Sequence, residues 1–534
     1  MSTKERNAEY KPLLYTTTVR NPERIKYNLY ILKKFDGKIL TNAVATEIVG
    51  ELIKYGLYRP MKVSPEVKSI WKQTSGGEFA VSLLDDKQVS KIIEDNPQQH
   101  KEAGFDWGYP SRFATIFDLA KEFGFVYFKT NEKIEFSELG NILVDILNIQ
   151  ITGNNEISLS LNNPEREQSV FLQSLARSQR QNPFVKVLND NIPLLLLLQT
   201  IRMINSDAEC SNNAGISRKE IPLLLFWKDN NAADLYLRIK QLRKEYGYTP
   251  SDEVIIDICI NEIMQGKYKK FDPKSIMVDY VDEFIRKMRM SGLISLRGAG
   301  RFIDINHNED KKVEYILNSY SDYTRYENEH DYFEYMSKID NNLISLKAEI
   351  VSDEKTNDLL SEWLQTYEWE KIKEELHILA THKTSKDEVL KFLAAPVRLE
   401  FLTALAIKSK LPQVLVKPNY SSDDTGLPTS TAGGNKGDIE CFENGKGILV
   451  EVTMAEGRTQ TMMEVWPIER HLAQFIEDNK LESQCIFTAP TIYSDSKRQI
   501  DFVKFTNKLT IRDYPIDDFT KYLETERQLY NEKI

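Results

Sequence analysis

The sequence predicts a multidomain chain: a mostly α N-terminal part with two winged-helix-like units, a helical linker, and a C-terminal α/β domain. Three observations carry this expectation. The chain has 534 residues, 41% of them apolar, enough for several cores. Up to about residue 400 the apolar positions recur mainly at helical spacing, interrupted twice by a helix–strand–turn–strand pattern. A tight hairpin at 437–453 then introduces a strand apolar on both faces, the pattern of a strand buried inside a sheet.

Taken in order, Asn21-Pro22-Glu23-Arg24 is a helix start, with proline where a first turn tolerates it. Residues 111–149 read helix, strand, turn, strand, helix. Phe125-Val126-Tyr127-Phe128 and Lys133-Ile134-Glu135-Phe136 flank Thr130-Asn131-Glu132 like the wing of a winged helix. The apolar run Ile192–Leu198 falls far short of the roughly 20 residues that span a bilayer and reads as a buried helix. A second wing is expected at 276–305: a helix from Met277 to Arg289, the strand Leu293-Ile294-Ser295-Leu296, a turn at Gly298-Ala299-Gly300, and Phe302-Ile303-Asp304-Ile305. The basic helix Arg238–Lys244 reads better as a solvated charge face. Residues 310–380, charged and aromatic, read as connecting helices. The expected division is 1–160 and 161–310 for the two winged-helix-like units, 311–384 for the linker and 385–534 for the α/β domain.

The hairpin is the most informative stretch. Asn444-Gly445 is a strong type I′ signal, because that turn needs positive φ at both central residues. With those two as the loop, Glu443 faces Lys446, and counting outward places Asp438 opposite Glu451. Opposed side chains in an antiparallel pair sit about 4.5–5.5 Å apart at Cβ. Two carboxylates that close repel unless a cation lies between them, and a hard divalent ion with oxygen ligands suits the place. Surface hairpins also carry opposed acids by accident. Here, however, Glu451 is embedded in Ile448, Leu449, Val450 and Val452, where an unpartnered acid is costly.

A second layer surrounds this pair. Residues 458–476 have helical periodicity, with Pro467 kinking or restarting the helix. Gln460, Glu464 and His471 fall on one stripe. Upstream, Ala394–Leu402 opens a helix with Pro396 in its first turn. Glu400 shares a stripe there with Ala404 and Ile407, so it needs a partner, which the same metal site could supply.

These residues carry a family resemblance. Helix, hairpin with Asp and Glu, then helix is the core order of the PD-(D/E)XK nucleases. The chain resembles the AlwI-type family of type IIS restriction and nicking endonucleases at Glu400, Asp438, Glu451-Val452-Thr453, Thr459-Gln460, Glu464 and Arg470-His471. The likeness extends to 16–24, Phe123–Val126 and Ser291–Ser295; it is strongest at 395–475 and weaker in the middle. Two departures from the general signature stand out: Gly437 replaces the proline before the first Asp, and Thr453 stands where a lysine follows the Glu by two. Members of this family resemble the chain in lacking that lysine. Lys436, opposite Thr453 by the same register, is either a substitute for it or a solvated strand end; His471 is the alternative polar group.

The resemblance implies Mg²⁺ held by Asp438, Glu451 and the Val452 carbonyl. Glu464 and His471 would orient water or bind a second ion, and Glu400 would complete the acidic shell. It implies double-stranded DNA as partner, a short asymmetric site, and cutting at a distance from it. One active site per chain cuts one strand, so a double-strand break needs a second nuclease subunit or a transient dimer. Arg20 and Arg24 in the N-terminal match, and Arg286, Lys287, Arg289, Arg297 and Arg301 around the second wing, are the candidate DNA contacts.

Composition is compatible with this reading. The net charge of −10 is unexpected for a DNA-binding protein, yet a basic face coexists with an acidic remainder. The four scattered cysteines, Cys210, Cys259, Cys441 and Cys485, argue against a zinc site or disulfide framework and fit a reducing cytoplasm. No signal peptide opens the sequence, and no membrane partner is expected. There is no phosphate-binding G-x-x-x-x-G-K-[ST] motif, which disfavours an ATP-driven translocating enzyme, and no H-E-x-x-H. His377 and His382 share no helical face and are discounted as ligands. Two other readings stand beside the restriction enzyme. One is a structure-directed repair or mobile-element nuclease with the same core. The other is a DNA-binding regulator with a decayed nuclease domain.

Overall fold

The protein is described from a computed structural model, which places residues 9–11, 22–72, 79–102, 104–151, 155–268, 272–321, 323–433 and 436–532. It is a mixed α/β fold, helix-rich through its first 410 residues. The first wing region runs from a helix, Tyr109–Glu122, through short antiparallel strands Val126–Tyr127 and Glu135–Phe136, into a helix, Glu138–Asp145. That last helix ends earlier than expected. Leu147, Ile149 and Ile151 alternate with Asn148 and Gln150, a strand period, and Leu147–Ile151 pairs with Glu156–Leu161, which in turn pairs with Phe79–Ser82. The apolar run sits inside the buried helix Pro193–Ser206. Near the second expected wing, the helix Tyr280–Arg289 precedes strands Ile294–Arg297 and Phe302–Ile305, and the short strand Ile216–Ser217 adds a third partner. Helices including Asp310–Ser319, Asp353–Trp363 and Trp369–Ala380 follow.

The C-terminal part begins with α1 (Ala395–Lys410), followed by β1 (Leu415–Pro418), the hairpin of β2 (Tyr420–Ser422) with β3 (Pro428–Ala432), and the hairpin of β4 (Ile439–Glu443) with β5 (Lys446–Val452). Then come α2 (Gly457–Met463), α3 (Val465–Asn479), β6 (Ser483–Ala489), α4 (Ser494–Asn507), β7 (Ile511–Pro515) and α5 (Ile516–Thr525). One sheet runs in the order β7-β6-β5-β4-β1. Its β1–β4–β5 side is antiparallel and its β5–β6–β7 side parallel. Helices cover both faces, which is why β5 is apolar throughout. Leu449 packs with Val465, Leu472 and Val503 of α3 and α4. Ile448 and Val450 join the other cluster, with Leu405 of α1 and Phe519 of α5. That cluster continues through apolar residues back to Ile25, so the N-terminal and C-terminal parts are packed together. Among the described residues no helix is long and apolar enough to cross a membrane. All four cysteines are buried and free.

Candidate active site

The β4–β5 turn sets the site. Asn444 and Gly445 have φ of 51° and 75°, the pair of positive values a type I′ turn requires. Glu443 stands opposite Lys446 and Ile439 opposite Val450. One step further brings Asp438 beside Glu451, with the Val452 amide donating to Asp438 Oδ2 at 2.7 Å. Leu449 and Glu451 share the face that α3 covers. There His471 Nδ1 lies 2.9 Å from Glu451 Oε1. Gly437 is a close approach: a Cβ there would meet Leu449 Cδ1 at 2.4 Å and Glu451 Oε1 at 2.9 Å. A proline would bring that Cβ, which gives a local reason for glycine at this position.

Glu400, on α1, is 4% exposed and accepts from the Ala432 amide at 3.0 Å. Burial and then the Glu451 charge push its carboxyl up to about 8. Asp438 is held well above the carboxylate range, first by loss of water and then by Glu451 and Glu400, against the lowering effect of the Val452 amide. The charged groups acting on Asp438 are all acids; Glu464 is the last of them. This is a donor set that favours a cation. Two carboxylates and a neighbouring backbone carbonyl suit a hard divalent ion. Among the described residues no group of three or more His, Cys, Asp and Glu side chains converges on one metal position. The side-chain donors at the hairpin mouth are the two carboxylates of Asp438 and Glu451; around them Glu400 accepts from the Ala432 amide, Glu464 from the Thr453 hydroxyl, and His471 contacts Glu451.

The helix after the hairpin differs from the single expected stripe. It breaks at Glu464, not at Pro467, and Pro467 falls in the first turn of α3, where its missing N–H is harmless. Glu464 Oε1 accepts from the Thr453 hydroxyl at 2.9 Å, so the position lacking lysine is tied to an acid of the next layer. Gln460 turns away: it is fully buried and bonds Ala455 O, Thr491 O and the Tyr493 amide. Lys436 is exposed in a bend ahead of β4, not at a strand end.

The candidate DNA contacts separate. Arg20 lies outside the described residues. Arg301 is exposed beside the 298–300 turn. Three others are tied up inside the protein, contrary to a DNA-facing role. Lys287 is 1% exposed and paired with Glu283. Arg289 is buried, 3.6 Å from Asp423, and donates to Pro428 O at 2.9 Å. Arg297 pairs with Asp424 at 2.6 Å. The reason is common to all three: Asp423 and Asp424 in the β2–β3 turn, and Glu283 one helical turn back, take up the charge. Arg24 and Arg286 instead line a cavity of about 800 Å³ shared with the first turn of α1. Sequence reasoning passed over Lys383, Lys391 and Arg398 on that cavity. The one available signal was Arg398 itself, a lone cation in the first turns of an apolar helix.

The fold is α/β, and the candidate site is a buried acid pair at a hairpin mouth between sheet-covering helices. The family model described as AlwI restriction endonuclease matches residues 121–391 and 341–514, which together are well over half of the chain. The chain belongs to that family of DNA-cleaving restriction endonucleases. Among solved structures, the chain is similar to the small subunit R.BspD6I2 of the heterodimeric restriction endonuclease R.BspD6I, with 20% identity over 31% of this chain and 83% of that one, TM-score 0.26. It is also similar to restriction endonuclease FokI, with 10% identity over 97% of both chains, TM-score 0.23, and to FokI bound to DNA, with 10% identity over 99% of this chain and 97% of that one, TM-score 0.22. Among curated proteins nothing matches the chain.

Proposed function

We propose that the protein is a Mg²⁺-dependent type IIS restriction or nicking endonuclease, with one active site per chain that hydrolyses one DNA strand at a distance from a short asymmetric site. The observation that carries the reading is the Asp438–Glu451 pair, locked by the Val452 amide, with Glu400 and Glu464 adding negative charge around Asp438. Asp438, Glu451 and the Val452 carbonyl would hold Mg²⁺. The chemistry supplied there by a bound Mg²⁺ would be polarisation of a phosphoryl oxygen and hydroxide near neutral pH. His471 holds Glu451 in place through its Nδ1 contact. Glu464, fixed by Thr453, would orient water. Glu400 keeps the acidic shell closed on the α1 side.

In this reading residues 1–160 and 161–310 form winged-helix-like recognition units, 311–384 connects them, and 385–534 is a PD-(D/E)XK nuclease domain. Arg301 remains a candidate contact at the second wing, and Arg24 and Arg286 are contacts on the cavity. A double-strand break requires a second nuclease subunit or a transient dimer. The test is cleavage of supercoiled plasmid by purified protein in Mg²⁺, with Glu451→Ala alongside. Nicked or linear product mapping to one site, lost in the variant and in EDTA, is the expected result. Intact plasmid with DNA binding retained, including after addition of a candidate partner subunit, would refute it.

A further inference from the structure

The cavity of about 800 Å³ lies between the N-terminal body and the C-terminal domain. Eight lysine and arginine residues line it against a single acid, Glu167, in a protein whose net charge is −10. Such a concentration of one sign in a cleft focuses potential toward an anion. Some of the cations are spent internally: Lys26 pairs with Glu167, Arg289 with Asp423, and Lys391 with Asp282 and Glu388. The rest carry the argument. Arg398 is 5% exposed, its Nε has no hydrogen-bond partner, and its one bond is a long contact of 3.5 Å to the Lys383 carbonyl. A guanidinium that buried is costly, and the charge that offsets it is that of Glu375 on the preceding helix, whose carboxylate already pairs with Lys371. Arg286 spends one nitrogen on the Lys391 carbonyl and lies over the Phe392 ring. Lys383 and Arg24 have exposed side chains on the rim. Loss of surrounding water, and then the Arg24 charge, hold Arg59 down to about 10, a sign of crowded cations.

A second feature points the same way. Residues 394–397, the start of the 16-residue α1, line the cavity, and the helix has no side-chain cap. Its free N–H groups and dipole favour a negative group there. The cavity also borders the acid cluster. Thr431 lines it next to Ala432, which bonds Glu400, and Met454 lines it two residues beyond Val452.

We propose that this cavity binds backbone phosphates of the DNA strand to be cut, with Arg398, Lys383, Arg286 and Arg24 as the phosphate contacts leading to Asp438 and Glu451. The volume is that of a pocket for a short ligand segment, so it takes one strand and not a duplex. The inference rests on the nuclease reading above.

The test is the salt dependence of binding to a labelled duplex in EDTA, for the full chain and for Arg398→Gln, Lys383→Gln and Arg24→Gln. Each lost phosphate contact should flatten the slope of log K against log salt by about one and weaken binding equally for site-containing and unrelated DNA. Lys383 and Arg24 are exposed, so their variants carry the test if Arg398→Gln does not fold. Wild-type slopes in both folded rim variants would overturn the proposal. Tripolyphosphate that binds the protein without competing with DNA would also overturn it, by giving the cavity to a small polyphosphate. A wild-type protein that binds no DNA would instead bring down the nuclease reading itself.

Discussion

Replacing Glu400 with glutamine should make the metal-free protein more stable. The Glu400 carboxyl is buried on α1, and burial together with the Glu451 charge raises it to about 8, against an ordinary 4.5. A folded-state value above the unfolded one means that the folded chain holds more protons between those two pH values. Stability must then fall as pH rises through that window and level off above about 8. At about 1.4 kcal/mol per pKa unit, keeping the proton on Glu400 at pH 7 costs about 3 kcal/mol. Glutamine removes that cost. Its carbonyl can still accept from Ala432, whose amide is 3.0 Å from the carboxylate, and its NH₂ offers a donor toward the neighbouring acids. The assay is thermal unfolding in EDTA across the window. Wild type should lose stability from about pH 5 to pH 8, and Glu400→Gln should be flatter and several degrees higher at neutral pH. A variant no more stable than wild type at pH 7, or a wild type flat across the window, would refute the reasoning.

Other perturbations test neighbouring contacts. His471→Ala leaves Glu451 without its 2.9 Å partner; plasmid cleavage should fall about 10–100-fold with a higher Mg²⁺ requirement, read from initial rates over a Mg²⁺ series. Gly437→Ala puts a Cβ 2.4 Å from Leu449 Cδ1 and 2.9 Å from Glu451 Oε1, so the turnover rate should drop while far-UV circular dichroism is unchanged. Arg289→Met strands the buried Asp423 carboxylate and should cost about 3–5 kcal/mol, measured by urea unfolding.

What was legible in the sequence was local. Asn444-Gly445 fixes its own turn through positive φ at two adjacent residues, and the register that turn imposes carries Asp438 to Glu451 without reference to the rest of the chain. Glu400 was legible as an acid that needed a partner, because its helical neighbours are apolar; the partner, the Ala432 amide, depends on how the β2–β3 hairpin folds back. Arg289 and Arg297 are the same case in reverse. Their charge is visible in sequence, but the acids that absorb it are not adjacent: Arg297 meets Asp424 more than a hundred residues away. Leu147–Ile151 has a period of two over only five residues, directly after a helix, and what makes it a strand is its pairing with Glu156–Leu161, itself paired with the distant Phe79–Ser82.

The cavity is the extreme case, since its walls come from segments around 24, 286, 383–398, 428–431 and 454 that share no motif. Yet one helix links it to the acid cluster. Arg398 and Glu400 are two residues apart on α1, and two residues turn an α-helix by about 200°. The same turns therefore present a guanidinium to one side and a carboxylate to nearly the opposite side. Arg398 faces the cavity and Glu400 faces Ala432 and the Glu451 charge. A phosphodiester drawn to the first side is separated by the body of the helix from the acids of the second, and would reach them past Thr431 and Met454 on the cavity wall, so attraction of the anion and repulsion among the acids act on different sides of α1.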